Sequence, residues 1–79
     1  INGHVNNAVY PLWASEAVST DFRISHEPSE IEIAFKKECH YGERIEVLTE
    51  QDGLNSFSVI KSMTDGRELA RVKIVWQQI

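Results

Sequence analysis

The sequence predicts an α+β domain, with one amphipathic helix near its start followed by four meandering antiparallel strands. Three observations carry that prediction. Apolar residues recur at three- and four-residue spacing from Val5 to about Thr20, which is the helical period. Beyond Phe22 the apolar period changes to two, as in a strand with one buried face. Two Asp-Gly dipeptides, Asp52-Gly53 and Asp65-Gly66, separate the alternating runs and supply the backbone angles of tight hairpins.

The helical stretch carries Val5, Ala8, Val9, Leu12, Trp13, Ala17 and Val18, an apolar arc wide enough to be wrapped by a curved sheet. Asn6 or Asn7 can cap its start, because a short side-chain oxygen accepts a bond from a first-turn amide. Pro11 removes one early helical hydrogen bond, so the first turn is expected to be irregular and the regular helix to begin nearer Pro11. A polar loop from Arg23 to Ser29, containing Pro28, follows. In the first strand, from Glu30 to near Cys39, Ile31, Ile33 and Phe35 alternate with Glu30, Glu32, Ala34 and Lys36. Tyr41-Gly42 marks a turn. Arg44 to Glu50 is the second strand, with Ile45 and Val47 on one face, and Ser56 to Thr64 the third, led by Phe57 and Val59. In the last, Glu68 to Gln77, Ala70, Val72, Ile74 and Trp76 face one way and Arg71 and Lys73 the other. No internal repeat or linker divides the chain, so residues 1–79 read as one unit.

Composition excludes several classes. With 42% hydrophobic and 25% charged residues the chain is globular, not disordered. No apolar run approaches the roughly 20 residues that span a bilayer. No basic region followed by an apolar stretch opens the chain, so no signal peptide is read and a cytoplasmic setting is expected. The one cysteine, Cys39, cannot form an internal disulfide. A net charge of −4 argues against nucleic acid, whose binding rests on neutralising phosphates. Attraction to an acidic partner would have to come from a local basic patch.

The chemistry concentrates in the opening run, Ile1-Asn2-Gly3-His4-Val5-Asn6-Asn7-Ala8-Val9-Tyr10. Gly3 permits a sharp turn or close approach to a ligand. His4 is the side chain that titrates nearest neutrality, suited to acid–base work or to polarising a carbonyl. The helix that follows presents free amides and the positive end of its dipole, which stabilise an oxygen gaining negative charge. Taken singly, Asn2, His4, Asn6 and Asn7 are ordinary turn and cap residues; their combination is not ordinary.

The run N-G-H-V-N-N-x-x-Y, with Trp13 and Glu16 after it, resembles the signature of hotdog thioesterases. The segment Glu30 to Cys39, ending Lys37-Glu38-Cys39, is similar to the corresponding strand of plant and bacterial acyl-acyl-carrier-protein thioesterases. The resemblance implies a hotdog fold, in which one long helix is wrapped by a curved antiparallel sheet. It makes this chain a partial domain whose first strand precedes Ile1, so that 79 residues alone are expected to be unstable or to self-associate. It also implies a second hotdog unit, in the same chain or as a homodimer partner. Asn2 then resembles a substrate- or partner-positioning asparagine, His4 the essential histidine, and Glu38 the carboxylate that activates water. Cys39 matches a cysteine assigned as nucleophile in a competing scheme. The family's aspartate two residues before the asparagine would immediately precede Ile1.

Strand alternation continued from Phe35 puts Lys37 and Cys39 on the helix side and Glu38 away from it. A buried lysine is disfavoured, so a break in phase, such as a bulge, is expected before the strand ends, turning Glu38 toward the site. As a nucleophile Cys39 needs a lowered thiol pKa and His4 within reach; as a base Glu38 needs only a held water. Glu38 is preferred as base and Cys39 as auxiliary.

The reaction so implied is hydrolysis of an acyl thioester on acyl carrier protein, giving a free fatty acid and the carrier thiol without a cofactor, in the cytoplasm or, in a plant, the plastid. Two alternatives are a single-hotdog acyl-CoA thioesterase and a non-catalytic acyl-binding module. His26 and His40 have no second ligand at metal spacing. Tyr10, Trp13 and Trp76 read first as packing. Arg44, Lys61, Arg67, Arg71 and Lys73 read as the solvated faces of strands.

Overall fold

The computed structural model describes residues 9–79, and these form two short helices and a four-stranded antiparallel sheet. Helix α1 is Val9–Glu16 and α2 is Thr20–Ser25; the strands are β1 His26–Phe35, β2 Ile45–Asp52, β3 Asn55–Ser62 and β4 Glu68–Gln78. The expected cap at Asn6 or Asn7 lies outside the described residues. Among those described, no helix is long and apolar enough to cross a membrane.

Among the described residues the long helix is not seen; two short ones, α1 and α2, stand in its place, and of the loop expected at residues 23–29 the first part belongs to α2 and the rest to β1. The cause lies at Val18-Ser19. The amide of Val18 bonds to the carbonyl of Ser15, three residues back, a tightening typical of a helix end. Ser19 then leaves helical geometry (φ −57°, ψ 145°) and its Oγ accepts the amide of Phe22, capping α2. Asp21 in the first turn and Arg23 in the last complement the new dipole, and Arg23 Nε donates to the Val18 carbonyl at 3.0 Å. Helical spacing continues through Val18, but α1 stops at Glu16 and Ser19 caps the start of a second helix.

Tyr10, Ala14 and Val18, four residues apart, are the buried stripe on the helical side. They meet Ile60, Leu69, Ala70, Val72, Ile74 and Trp76 from β3 and β4, with Ile33, Ile45, Val47, Trp13 and Phe22 at the margin. Leu12, expected in the apolar arc, is exposed.

β2, β3 and β4 form consecutive hairpins, but the order across the sheet is β1-β4-β3-β2, so the expected four-strand meander is corrected: β1 pairs with β4 instead of β2. β1 also begins earlier and ends earlier than expected, and His26 is a strand residue, not part of a loop. Pro28 is accommodated because β1 is an edge strand, with a register shift between Pro28 and Glu30. The β2–β3 turn is tight: Asp52 pairs with Asn55, and Gly53 supplies the positive φ of 60° that its first central position requires.

The face of β3 differs from the expectation. Ser56, Ser58, Ile60 and Ser62 point into the core, while Phe57, 44% exposed, and Val59 lie on the opposite face. Inward serines are tolerable because each has a partner. Trp76 Nε1 donates to Ser56 Oγ at 2.9 Å, Ser58 shares a 2.8 Å bond with Thr49, and Ser62 Oγ donates to Glu43 at 2.9 Å.

Candidate active site

Since β1 and β2 occupy opposite edges of the sheet, the chain between them must cross the ends of β4 and β3. Residues 36–44 make that crossing, and they carry Glu38, Cys39 and His40 with them. The departure from β1 has the form of a bulge: the amides of Lys36 and Lys37 both donate to the Leu69 carbonyl, at 2.8 and 3.3 Å. On β4, Ile60 pairs with Ala70 but Lys61 with Glu68, leaving Leu69 as the extra residue. The expected break in phase therefore lies at Lys36–Lys37.

After the break, neighbours separate. Glu38 lines an open cleft of about 590 Å3 with Phe35, Lys36, Lys37, His40 and Arg67. Cys39 turns inward, is only 3% exposed and belongs to the core cluster. Burial pushes its thiol pKa up, and the charge of Glu43 raises it further, outweighing the opposing effect of Arg67. Its Sγ–H donates to the His40 carbonyl at 3.7 Å. A nucleophilic cysteine needs the opposite environment, electropositive and accessible. Asn2 and His4 lie outside the described residues.

Beneath the crossing is a polar network that sequence reasoning missed. Arg67 Nη2 donates to both carboxylate oxygens of Glu43 at 2.7 Å and to the Glu38 carbonyl at 3.2 Å, while Nη1 donates to Asp65 Oδ2 at 2.6 Å. Glu43 also accepts the His40 amide at 2.7 Å and the Ser62 hydroxyl at 2.9 Å. The His40 amide, then the Arg67 guanidinium and Ser62 hydroxyl, pull the Glu43 pKa down to about 2 against an ordinary 4.5. Asp65 is lowered as well, first by the Arg67 amide. The segment closes on itself at His40–Glu43, where the Glu43 amide donates to the His40 carbonyl and Gly42 holds φ at 85°. This is the turn expected at Tyr41-Gly42, with glycine where a type II turn requires it.

By sequence Arg67 belongs with the solvated basic residues of the strands. Lys73 lies over the Phe57 ring on the outer face of the sheet, and Arg71, 62% exposed and paired with Glu68, fits that description. Arg67 does not, since its side chain is 28% exposed and held between two carboxylates. The available signal was local: Asp65 precedes Gly66-Arg67 in a turn, and Glu43 follows Gly42 in another. Nothing in either turn announced that they meet.

His26 is occupied by packing, stacked on Phe22 at 3.9 Å with Nδ1 near the Phe22 carbonyl. Tyr10 and Trp76 are buried, and Trp13 packs edge-on against Tyr10. Among the described residues no group of three or more His, Cys, Asp or Glu side chains could hold a metal ion.

Helices on one face of an antiparallel sheet of this order make the domain a hotdog-like α+β unit, and solved structures similar to it are thioesterases. The 12:0-ACP thioesterase from Umbellularia californica superposes with a TM-score of 0.86 and 26% identity, over 100% of this chain and 30% of that one. An acyl-ACP thioesterase from Bacteroides thetaiotaomicron gives 0.84 and 19%, over 98% and 32%. A thioesterase from Thermus thermophilus, complexed with coenzyme A and zinc, gives 0.74 and 20%, over 98% and 71%. Among curated proteins no relative matches the chain. The chain belongs to the acyl-ACP thioesterase C-terminal domain family, whose model matches residues 1–78. It spans less than a third of the Umbellularia and Bacteroides proteins.

Proposed function

We propose that this domain hydrolyses the thioester of an acyl chain carried on acyl carrier protein, and that Glu38 is the general base. Membership in a family of thioester hydrolases supports the reaction class. The observation that carries the assignment of the base is the contrast between neighbours: Glu38 lies on the wall of an open cleft, and the Cys39 thiol is buried with a raised pKa. Glu38 takes a proton from a water held between its carboxylate and the thioester carbon, and the oxygen attacks that carbon. The carbon–sulfur bond breaks, the thiolate receives the proton, and the free fatty acid leaves. Asn2 and His4 orient the substrate and polarise its carbonyl. The chemistry draws on no cofactor. Its partners are the acylated carrier protein and a second hotdog unit.

The test is hydrolysis of medium- and long-chain acyl thioesters by the full-length protein, compared on acyl carrier protein and on coenzyme A. Turnover preferring the carrier-protein thioester, and lost in folded His4→Ala, is expected. Preference for coenzyme A would move the substrate class to acyl-CoA. Binding of the acyl chain without turnover on either would make the domain an acyl-binding module.

A further inference from the structure

Segment 36–43 lacks the regular ladder that orients side chains in a strand, so the direction of Glu38 depends on individual anchors. Three are visible. Behind it, the amides of Lys36 and Lys37 sit on the Leu69 carbonyl. Next to it, Cys39 is sunk in the core, which ties the crossing peptide down one residue beyond Glu38. The third is ionic: Arg67 holds the Glu38 carbonyl directly, and Glu43, clamped by the same guanidinium, holds the His40 amide two residues on.

We infer that Arg67 and Glu43 are positioning residues for Glu38, a clamp that fixes the crossing peptide so that the Glu38 carboxylate faces the cleft. The inference rests on the proposed assignment of Glu38 as base. Arg67 suits the role because a planar fork meets several acceptors at once: both oxygens of Glu43, one of Asp65 and the Glu38 carbonyl. The single ammonium of lysine, on a flexible stem, cannot reproduce that set. Arg67 also forms part of the cleft wall beside Glu38, so slack in the clamp is transmitted to the site itself. A displacement of about 1 Å at a reacting group is enough to cost on the order of a hundredfold in rate.

A purely structural pair would lower thermal stability and leave the turnover of folded enzyme unchanged; a positioning pair acts on kcat. In the full-length protein, with acyl carrier protein thioesters as substrates, Arg67→Lys is expected to lower kcat by about ten- to a hundredfold, with KM within about twofold. Glu43→Gln is expected to act in the same direction and carries the test if Arg67→Lys does not fold. In a Glu38→Gln background, assayed by single turnover at high enzyme concentration, Arg67→Lys is expected to lower the rate no further, because the group it positions is already gone. Normal kcat in both folded single variants, or a loss that multiplies in full onto that of Glu38→Gln, would overturn the clamp and leave Glu38 as base. Normal turnover by Glu38→Gln alone would overturn the base assignment, and the clamp with it.

Discussion

The β2–β3–β4 hairpins and the crossing segment 36–44 are held by different physics. In the hairpins, register and burial do the work: Ile60 opposite Ala70, Ser58 opposite Val72 and Ser56 opposite Ile74 repeat a two-residue period that places one face in the core. In the crossing, no period operates. One buried thiol, a shared carbonyl and a single guanidinium replace the ladder. Apolar burial tolerates small shifts in position, whereas charge-assisted hydrogen bonds demand particular distances and a particular protonation state. The part of the molecule nearest the proposed chemistry is therefore the part most sensitive to pH and to single polar substitutions.

The hairpin side of this contrast breaks with the largest effect. Ile74 is fully buried between Ser56 and Ile31, and Ile74→Ala is expected to destabilise the domain by about 2–5 kcal/mol, read from denaturant unfolding of the folded full-length protein. The loss would be global, because β4 is an inner strand to which both β1 and β3 pair. A change under about 1 kcal/mol would mean that this core is looser than its burial implies.

The crossing responds instead to acid. Because the Glu43 pKa is lowered in the folded state, its contribution to stability is complete above about 4.5, the ordinary value, and is lost as pH falls toward about 2. The Glu43 side-chain and His40 amide resonances are expected to titrate together with a midpoint near 2, before the Trp76 indole signal in the hairpin core changes. A Glu43 midpoint at its ordinary value would mean that the clamp does not hold in solution.

The same contrast explains what the sequence disclosed. The periods of β2 and β4, the Asp52-Gly53 hairpin and the Tyr41-Gly42 turn are local properties, and the structure has them, whereas in β1 the expected inward residues Ile31 and Phe35 are exposed. The inward face of β4 was likewise legible from Ala70, Val72, Ile74 and Trp76. β3 departs from its apolar pattern: its serines face the core, satisfied by Trp76, Thr49 and Glu43, partners distant in sequence or on another strand. Apolar spacing does not register the serine at position 19 that caps the start of α2 and so divides the helical stretch in two. The pairing of β1 with β4 depends on where the chain goes between residues 36 and 44, and periodicity says nothing about that. The Glu43–Arg67 pair, 24 residues apart, depends on the same crossing. At the candidate site, the motif residues Glu38 and Cys39 were visible in sequence, and so was the expected break in phase; the groups that hold them were not.

The central claim is that the crossing exposes Glu38 to the cleft for use as a base and withdraws Cys39 into the core. Parallel steady-state hydrolysis by Glu38→Ala and Cys39→Ala, both checked for folding, tests it most directly. Loss of the general base is expected to reduce kcat by about a hundred- to ten-thousandfold, while Cys39→Ala keeps substantial activity. Substantial activity in Glu38→Ala together with its loss in folded Cys39→Ala would contradict the account and make the buried thiol the reacting group.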